Sequence, residues 1–233
     1  MKIPPGLKSE PQAAVLPAPI QGFSVSYSNL DLKQLSDFDL PKELEGAVGK
    51  RKIDFITGRL CASQALAMLD PRRKWPIVSF GTDRLPGWPE GVVGSITHTE
   101  GFSSACVALS TDYQSLGIDA EKVMPVEQAE KIEATISFDQ ERELTQTKGF
   151  ELAKGLSLIF SAKESLFKCL YPLVKINFGF LDARLLTLDT DQKSFSIELM
   201  KDLGDQYEKG QILQGHYIFV NALVVTGIAT KSS

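Results

Sequence analysis

Asp119 and Glu121 are separated by a single residue and interleaved with Ile118 and Ala120. Side chains on a β-strand repeat every two residues, so the two carboxylates share one face and the apolar pair the other. Two acids side by side repel, and such a pair is tolerated by solvent at a surface or by a cation in a cleft. Glu164 supplies a third carboxylate in Phe160-Ser161-Ala162-Lys163-Glu164-Ser165-Leu166-Phe167-Lys168. Around it Leu156, Ile159, Phe160, Phe167 and Leu170 recur at helical spacing and are expected to face a core, with Ser157, Ser161, Glu164 and Lys168 as a polar stripe alongside. Taken alone, Glu164 and Lys168 are an ordinary i,i+4 surface pair. His98 ends a strand-like segment just before a turn at Gly101, and Ser95 and Thr97 share a strand face. No Gly-x-Ser-x-Gly elbow surrounds Ser95 and no glycine-rich loop ends in Gly-Lys-Ser/Thr, which weakens serine-hydrolase and nucleotide-loop readings.

The elements that must position these residues follow from periodicity and breakers. Residues 1 to about 22, rich in proline and small residues, read as an extended arm with no assigned chemistry. Gly49 to Leu69 reads as an amphipathic helix closed by Asp70-Pro71, with Lys52 and Arg59 on nearly one face. Strands are expected at Pro76 to Phe80, Val92 to Thr97 and Ser103 to Leu109, the last two as a hairpin, with a glycine- and proline-rich loop before them. The polar stretch Ser110 to Ser115 then divides the chain into halves, 1–112 and 113–233. The second half opens with a strand, Leu116 to Glu121. Helices follow at Val126 to Glu133, Asp139 to Thr147 and Leu152 to Leu170, the last stopped before Pro172. Phe178 to Leu188, Ser194 to Leu199 and Tyr217 to Ala229 look strand-like. Each half is helix plus antiparallel sheet, so the fold class is α+β.

Composition narrows the chemistry. The 233 residues, 43% of them hydrophobic, suffice for a real core. Neither a leader-like start nor an apolar run of about 20 residues is present, so a cytoplasmic protein without a membrane span is expected. Cys61, Cys106 and Cys169, widely spaced among apolar neighbours, read as reduced core thiols. With only His98 and His216 available, a metal here should be a hard one with oxygen ligands. The net charge of −4 argues against nucleic acid as a partner, yet Lys50 to Arg84 carries eight basic residues against three acidic ones, an anion-attracting region in an acidic protein.

Taken in order, Gly94-Ser95-Ile96-Thr97-His98, then Leu116-Gly117-Ile118-Asp119-Ala120-Glu121, then Phe160 to Lys168 closely resembles the signature blocks of the Sfp-like 4'-phosphopantetheinyl transferases, particularly the class serving enterobactin synthesis. The stretches from Lys50-Arg51-Lys52 to Gly58-Arg59 and from Arg84 to Trp88-Pro89 are similar to that class too, and the resemblance covers roughly residues 48 to 175. It implies two similar α+β halves forming a pseudo-dimer, with coenzyme A in the cleft between them. It further implies Asp119, Glu121 and Glu164 as Mg2+ ligands, Lys168 near the phosphates, and His98 with Thr97 at the nucleotide phosphates. Arg51, Arg59 and Arg84 match basic positions that hold the 3'-phosphate and pyrophosphate, with Lys50 and Lys52 able to substitute for Arg51. Phe160 stands where many relatives have tryptophan and Thr97 where many have serine.

The implied reaction moves phosphopantetheine from coenzyme A onto a serine of an apo acyl or peptidyl carrier protein and expels 3',5'-ADP. Magnesium wants about six oxygens, which carboxylates, pyrophosphate and water can supply. Glu164, directly or through a metal-bound water, is the first candidate for the serine proton and Asp119 through water the second. Met124-Pro125-Val126 and Leu170-Tyr171 are candidate edges for docking the carrier, and a monomer is expected. Two rival readings remain at this level: a metal-dependent phosphodiesterase or nuclease, and a coenzyme A or carrier-protein binding module without catalysis.

Overall fold

The computed structural model describes residues 3–232 apart from 36, 37, 39 and 82–84. Its first half contains strands β1 (Leu7–Ser9) and β2 (Gln21–Tyr27), helix α1 (Gly49–Leu69), the short pair β3 (Ser79–Phe80) and β4 (Pro86–Gly87), and the hairpin β5 (Val92–Thr99) and β6 (Phe102–Leu109). The second half contains β7 (Tyr113–Lys122), helices α2 (Val126–Ile136), α3 (Asp139–Thr147) and α4 (Leu152–Val174), then β8 (Ala183–Asp189), β9 (Ser194–Leu199), β10 (Ile212–Val220) and β11 (Leu223–Lys231). The α+β expectation holds.

Two antiparallel sheets carry the molecule, one in the order β1-β2-β6-β5 and one in the order β7-β11-β10-β9-β8. The halves share a topology. In each, an opening strand (β2 or β7) pairs with the last strand of a hairpin (β6 or β11) and one long helix (α1 or α4) lies between them in sequence. A buried hydroxyl pair ties helix to sheet in both: Thr57 to Ser103 at 2.7 Å in the first, Ser161 to Thr226 at 2.9 Å in the second. The larger core belongs to the second half, where Leu156, Ile159, Leu166 and Leu170 of α4 pack against strand residues such as Phe195, Tyr217 and Ile228.

Several boundaries differ from the sequence expectation. The helix α4 continues through Pro172 to a left-handed Lys175, φ 54°. Proline forfeits one intrahelical bond, but it stands in the last turn, and the helix still closes through Lys175 N–H to the Tyr171 carbonyl at 3.0 Å. The single strand-like run Tyr217 to Ala229 is two strands folded at Asn221, φ 55°, because β-branched and aromatic residues on both sides of a short turn read as one run. The segment 178–182 contains a 3-10 turn, Phe180–Asp182, before the strand starts, and only Ser79 and Phe80 of the 76–80 segment pair in a strand. The arm before residue 22 does form a short strand, β1, and its Val15 and Leu16 lie over Gly227 of β11. Leu170 is fully buried, so it offers no docking edge; Pro125 and Val126 are exposed. All three cysteines are free and buried, and burial pushes each thiol up to about 12.

Candidate active site

The sheets meet edge to edge, β5 beside β7, and the join is made by side chains. Ser95 Oγ accepts from Ile118 N at 3.1 Å and Thr97 Oγ1 from Ala120 N at 3.1 Å. Hydroxyls at alternate positions of β5 thereby take the place that carbonyls would hold in a ladder. Gly117 permits α4 to lie against β7: a Cβ there would sit 2.0 Å from the Ser165 carbonyl oxygen. That close approach is what sets Glu164 and Lys168 of the helix beside Asp119 and Glu121 of the strand.

Lys168 does not form the i,i+4 pair with Glu164 that its spacing suggests. Its ammonium reaches across to Asp119 Oδ1 at 2.6 Å and to Thr97 Oγ1 at 3.2 Å. Thr97 also donates to Asp119 Oδ1 at 3.4 Å, so its one hydrogen and both lone pairs are engaged within the protein. Thr97 therefore stands behind Asp119 and Lys168 instead of on a cavity wall.

Asp119 Oδ2 is buried with no hydrogen-bond partner. A carboxylate oxygen left unpaired in the interior is costly unless something else takes its lone pairs. Around it, burial first, then Asp119, raises the Glu164 carboxyl above the ordinary range, with Lys168 opposing. Burial and the charges of Asp119 and Glu164 push Glu121 up to about 7, again against Lys168. Among the described residues no three His, Cys, Asp or Glu side chains already stand close enough to hold an ion by themselves. An unused Asp119 oxygen beside two reluctant carboxylates nevertheless fits a hard divalent cation whose shell is largely completed by substrate and water, which is how magnesium is commonly held.

Next to this acidic seam lies a cleft of about 890 Å³ whose lining draws on both halves. Arg51, Arg59, His98 and Lys168 line it, bringing four of the sequence candidates together; Asp119, Glu121, Glu164 and Thr97 stand at the seam, and Arg84 lies outside the described residues. Lys52 is spent on the Glu45 carbonyl at 2.8 Å, leaving Arg51 as the cleft's cation from the Lys50-Arg51-Lys52 run. Arg59 is nearly buried, its guanidinium 4.6 Å from the Phe55 ring and 5.7 Å from the Phe80 ring, which themselves stack at 4.8 Å. Desolvation lowers it to about 10, and its Nε has no partner. A buried, under-satisfied guanidinium on an aromatic shelf is poised for an anion.

The aromatic lining was not foreseen. Phe167, expected in the core, instead faces the cleft with Tyr171, the two rings stacked at 5.1 Å. Trp88 lines the cleft as well and packs against Gly94, where a Cβ would come within 2.6 Å of the indole. Phe55 and Arg59, four apart on a helix, were a readable signal for the shelf; Trp88 was marked only within the family-like stretch 84–89 and Tyr171 only as a docking edge, neither as cleft lining.

Comparison with known proteins agrees with this geometry. Residues 40–108 match the family described as the 4'-phosphopantetheinyl transferase N-terminal domain, and residues 115–220 match the 4'-phosphopantetheinyl transferase superfamily. The chain is 37% identical to the 4'-phosphopantetheinyl transferase Svp of Streptomyces mobaraensis, covering 80% of this chain and 75% of that one. It is 35% identical to PptT of Mycobacterium tuberculosis over 79% of this chain and 80% of that one. Enterobactin synthase component D of Salmonella typhi is 30% identical over 78% and 76%. The chain belongs to the 4'-phosphopantetheinyl transferase superfamily, in the class that these relatives represent.

Proposed function

We propose that this protein transfers the 4'-phosphopantetheine arm of coenzyme A to a serine hydroxyl of an acyl or peptidyl carrier protein, releasing 3',5'-ADP. One observation carries the reading beyond family membership: a cleft shared by both halves sets Arg51, Arg59, His98 and Lys168 against three carboxylates, one of them with an unused buried oxygen. A polyanion on one side and a hard cation on the other satisfy both.

In this reading Arg51, Arg59 and Arg84 hold the 3'-phosphate and pyrophosphate, with His98 at the nucleotide phosphates. Asp119, Glu121 and Glu164 would hold magnesium, which when bound polarises the pyrophosphate and offsets charge on the leaving group. Thr97 keeps Asp119 and Lys168 in place. Lys168, on the cleft wall, neutralises charge that builds on the bridging oxygen as the bond from phosphorus to the departing 3',5'-ADP breaks. The carrier serine oxygen forms the new bond to that phosphorus, and Glu164 takes the serine proton. Pro125 and Val126, exposed just beyond Glu121, offer apolar surface beside the seam for the carrier. A monomer suffices for this reaction, since one chain supplies both walls of the cleft.

Among the described residues no helix is long and apolar enough to cross a membrane. A nuclease would need a basic track along which a backbone could lie, whereas the cations here gather in one cleft. The test is the mass of an apo carrier protein after incubation with this protein, coenzyme A and magnesium. A gain equal to one phosphopantetheine, abolished by EDTA, is the expected result; no gain with several unlike carriers would sink the proposal.

A further inference from the structure

Asp54 of α1 poses a question that the reaction does not answer. It is an acid on the wall of a cleft read as taking a polyanion, where an unpartnered carboxylate would repel the ligand. Its side chain is only 13% exposed. Tyr27 of β2 donates its phenol to Asp54 Oδ1 at 3.1 Å, and Asp54 Oδ2 faces His98 Nδ1 of β5 at 3.7 Å. Three elements of the first half thus converge on one line: phenol, carboxylate, imidazole. Strand alternation sends Thr97 into the seam with β7 and the adjacent His98 toward α1.

We propose that Asp54, itself held by Tyr27, is a positioning residue that fixes the His98 ring with Nδ1–H toward the carboxylate and Nε2 toward the cleft, so that His98 meets a phosphate as a charged donor. The inference rests on the coenzyme A reading of the cleft for its ligand, though the dyad itself does not. A carboxylate on one ring nitrogen fixes which nitrogen carries the proton in the neutral ring and favours the doubly protonated form once an anion approaches the other. The 3.7 Å separation is longer than a charge-assisted bond of about 2.7–2.9 Å. Such contacts commonly tighten only when the ligand is bound. Burial weakens the hold of His98 on a second proton; Asp54 and, less, Asp119 oppose this, while Lys168 and Lys50 act with burial. Asp54 is therefore the nearest source of compensation for a charged imidazole, and it places negative charge behind the ring instead of in the path of the phosphate.

With His98 and His216 the only histidines, imidazole nitrogen NMR of the intact protein gives two resolvable rings, and His216→Gln assigns them. The probe is 3',5'-ADP, which cannot react. In the unsubstituted protein the neutral His98 ring is expected as the Nδ1–H tautomer, and 3',5'-ADP should raise its proton affinity by about tenfold or more. Asp54→Asn should shift the tautomer balance toward Nε2–H, remove most of the response to 3',5'-ADP, and raise KM for coenzyme A about tenfold while kcat changes far less. Asp54→Glu should restore part of each. If Asp54→Asn does not fold, Tyr27→Phe is read in its place and should give the same changes in smaller measure. An unaltered tautomer and response in the folded variant would overturn the proposal, as would a loss confined to kcat. Absence of carrier modification by the unsubstituted protein would remove the coenzyme A reading, and the tautomer measurement would still decide the dyad.

Discussion

The two halves of this chain are the same device equipped differently. Superposing them through the buried hydroxyl pairs sets Thr57 on Ser161 and Ser103 on Thr226. Sheet register then sets Val25, opposite Ser103, on Asp119, opposite Thr226. Two residues further along the strands Tyr27 falls on Glu121, and on the helices Leu60 falls on Glu164, three residues past the hydroxyl. The first half has a valine, a tyrosine and a leucine where the second has three acids. Two residues past the hydroxyl, Arg59 falls on Lys163, and here both halves bury a cation for opposite ends. Arg59 lines the cleft, rests on Phe55 and Phe80, donates to the Ser79 carbonyl at 3.3 Å and keeps a buried Nε without a partner. Lys163 is fully committed to Glu141 Oε2 at 2.8 Å and the Ile136 carbonyl at 2.9 Å, 3% exposed. Backbone topology thus supplies the positions, and the side chains alone decide which half carries the carboxylates and which the cleft's arginines.

The comparison breaks most visibly at Glu164. Glu164→Gln should lower turnover by about a thousandfold or more while leaving the circular-dichroism spectrum and melting temperature near their original values. Near-normal turnover would mean that the acids of the second half are not its chemical equipment. Lys163→Met should show the reverse, a loss of about 3–5 kcal/mol in denaturant unfolding because Glu141 is left buried without its counter-charge. The surviving folded fraction should have ordinary KM for coenzyme A. Arg59→Lys at the matching position should raise KM for coenzyme A by about ten- to a hundredfold with stability little changed, since an ammonium cannot stack on the Phe55–Phe80 shelf or reproduce the planar fork. Equal effects of Arg59→Lys and Lys163→Met on stability would erase the distinction between the two cations.

The smallest expected effect concerns pH. Glu121, pushed up to about 7 from 4.5, and Glu164, raised in the same direction, hold protons more tightly folded than unfolded. Without metal their contribution to stability is therefore full below the unfolded value and is lost as pH rises through about 7. A bound divalent cation favours the ionised forms and reverses this. The rise in melting temperature caused by magnesium should be about twofold larger at pH 8 than at pH 6. Asp119→Asn should flatten that difference, and a magnesium effect independent of pH would argue that these carboxylates are not its ligands.

Much of this was legible in the sequence because the informative patterns are local. Alternation around Asp119 and Glu121, and the helical period through α4, need no knowledge of neighbours. What escaped was non-local. Lys168 pairs across to Asp119 because Gly117 lets helix and strand approach closely, a fact about two segments some fifty residues apart. Phe167 looked like core since hydrophobic periodicity does not distinguish a face that meets a sheet from one that meets a ligand cavity. Asp54 drew no notice because a lone acid on a helix is usually solvated; only the arrival of Tyr27 and His98 from two strands gives it a role.

The burial of Cys61, Cys106 and Cys169 has a consequence for handling the protein as a reagent. Burial raises the proton affinity of each thiol, so very little of the reactive thiolate is present at pH 8. None of the three lines the cleft. The folded chain should tolerate maleimide chemistry at a cysteine introduced on its surface with almost no background. A thiol-bearing ligand in the cleft likewise meets no native sulfur there with which to form a mixed disulfide.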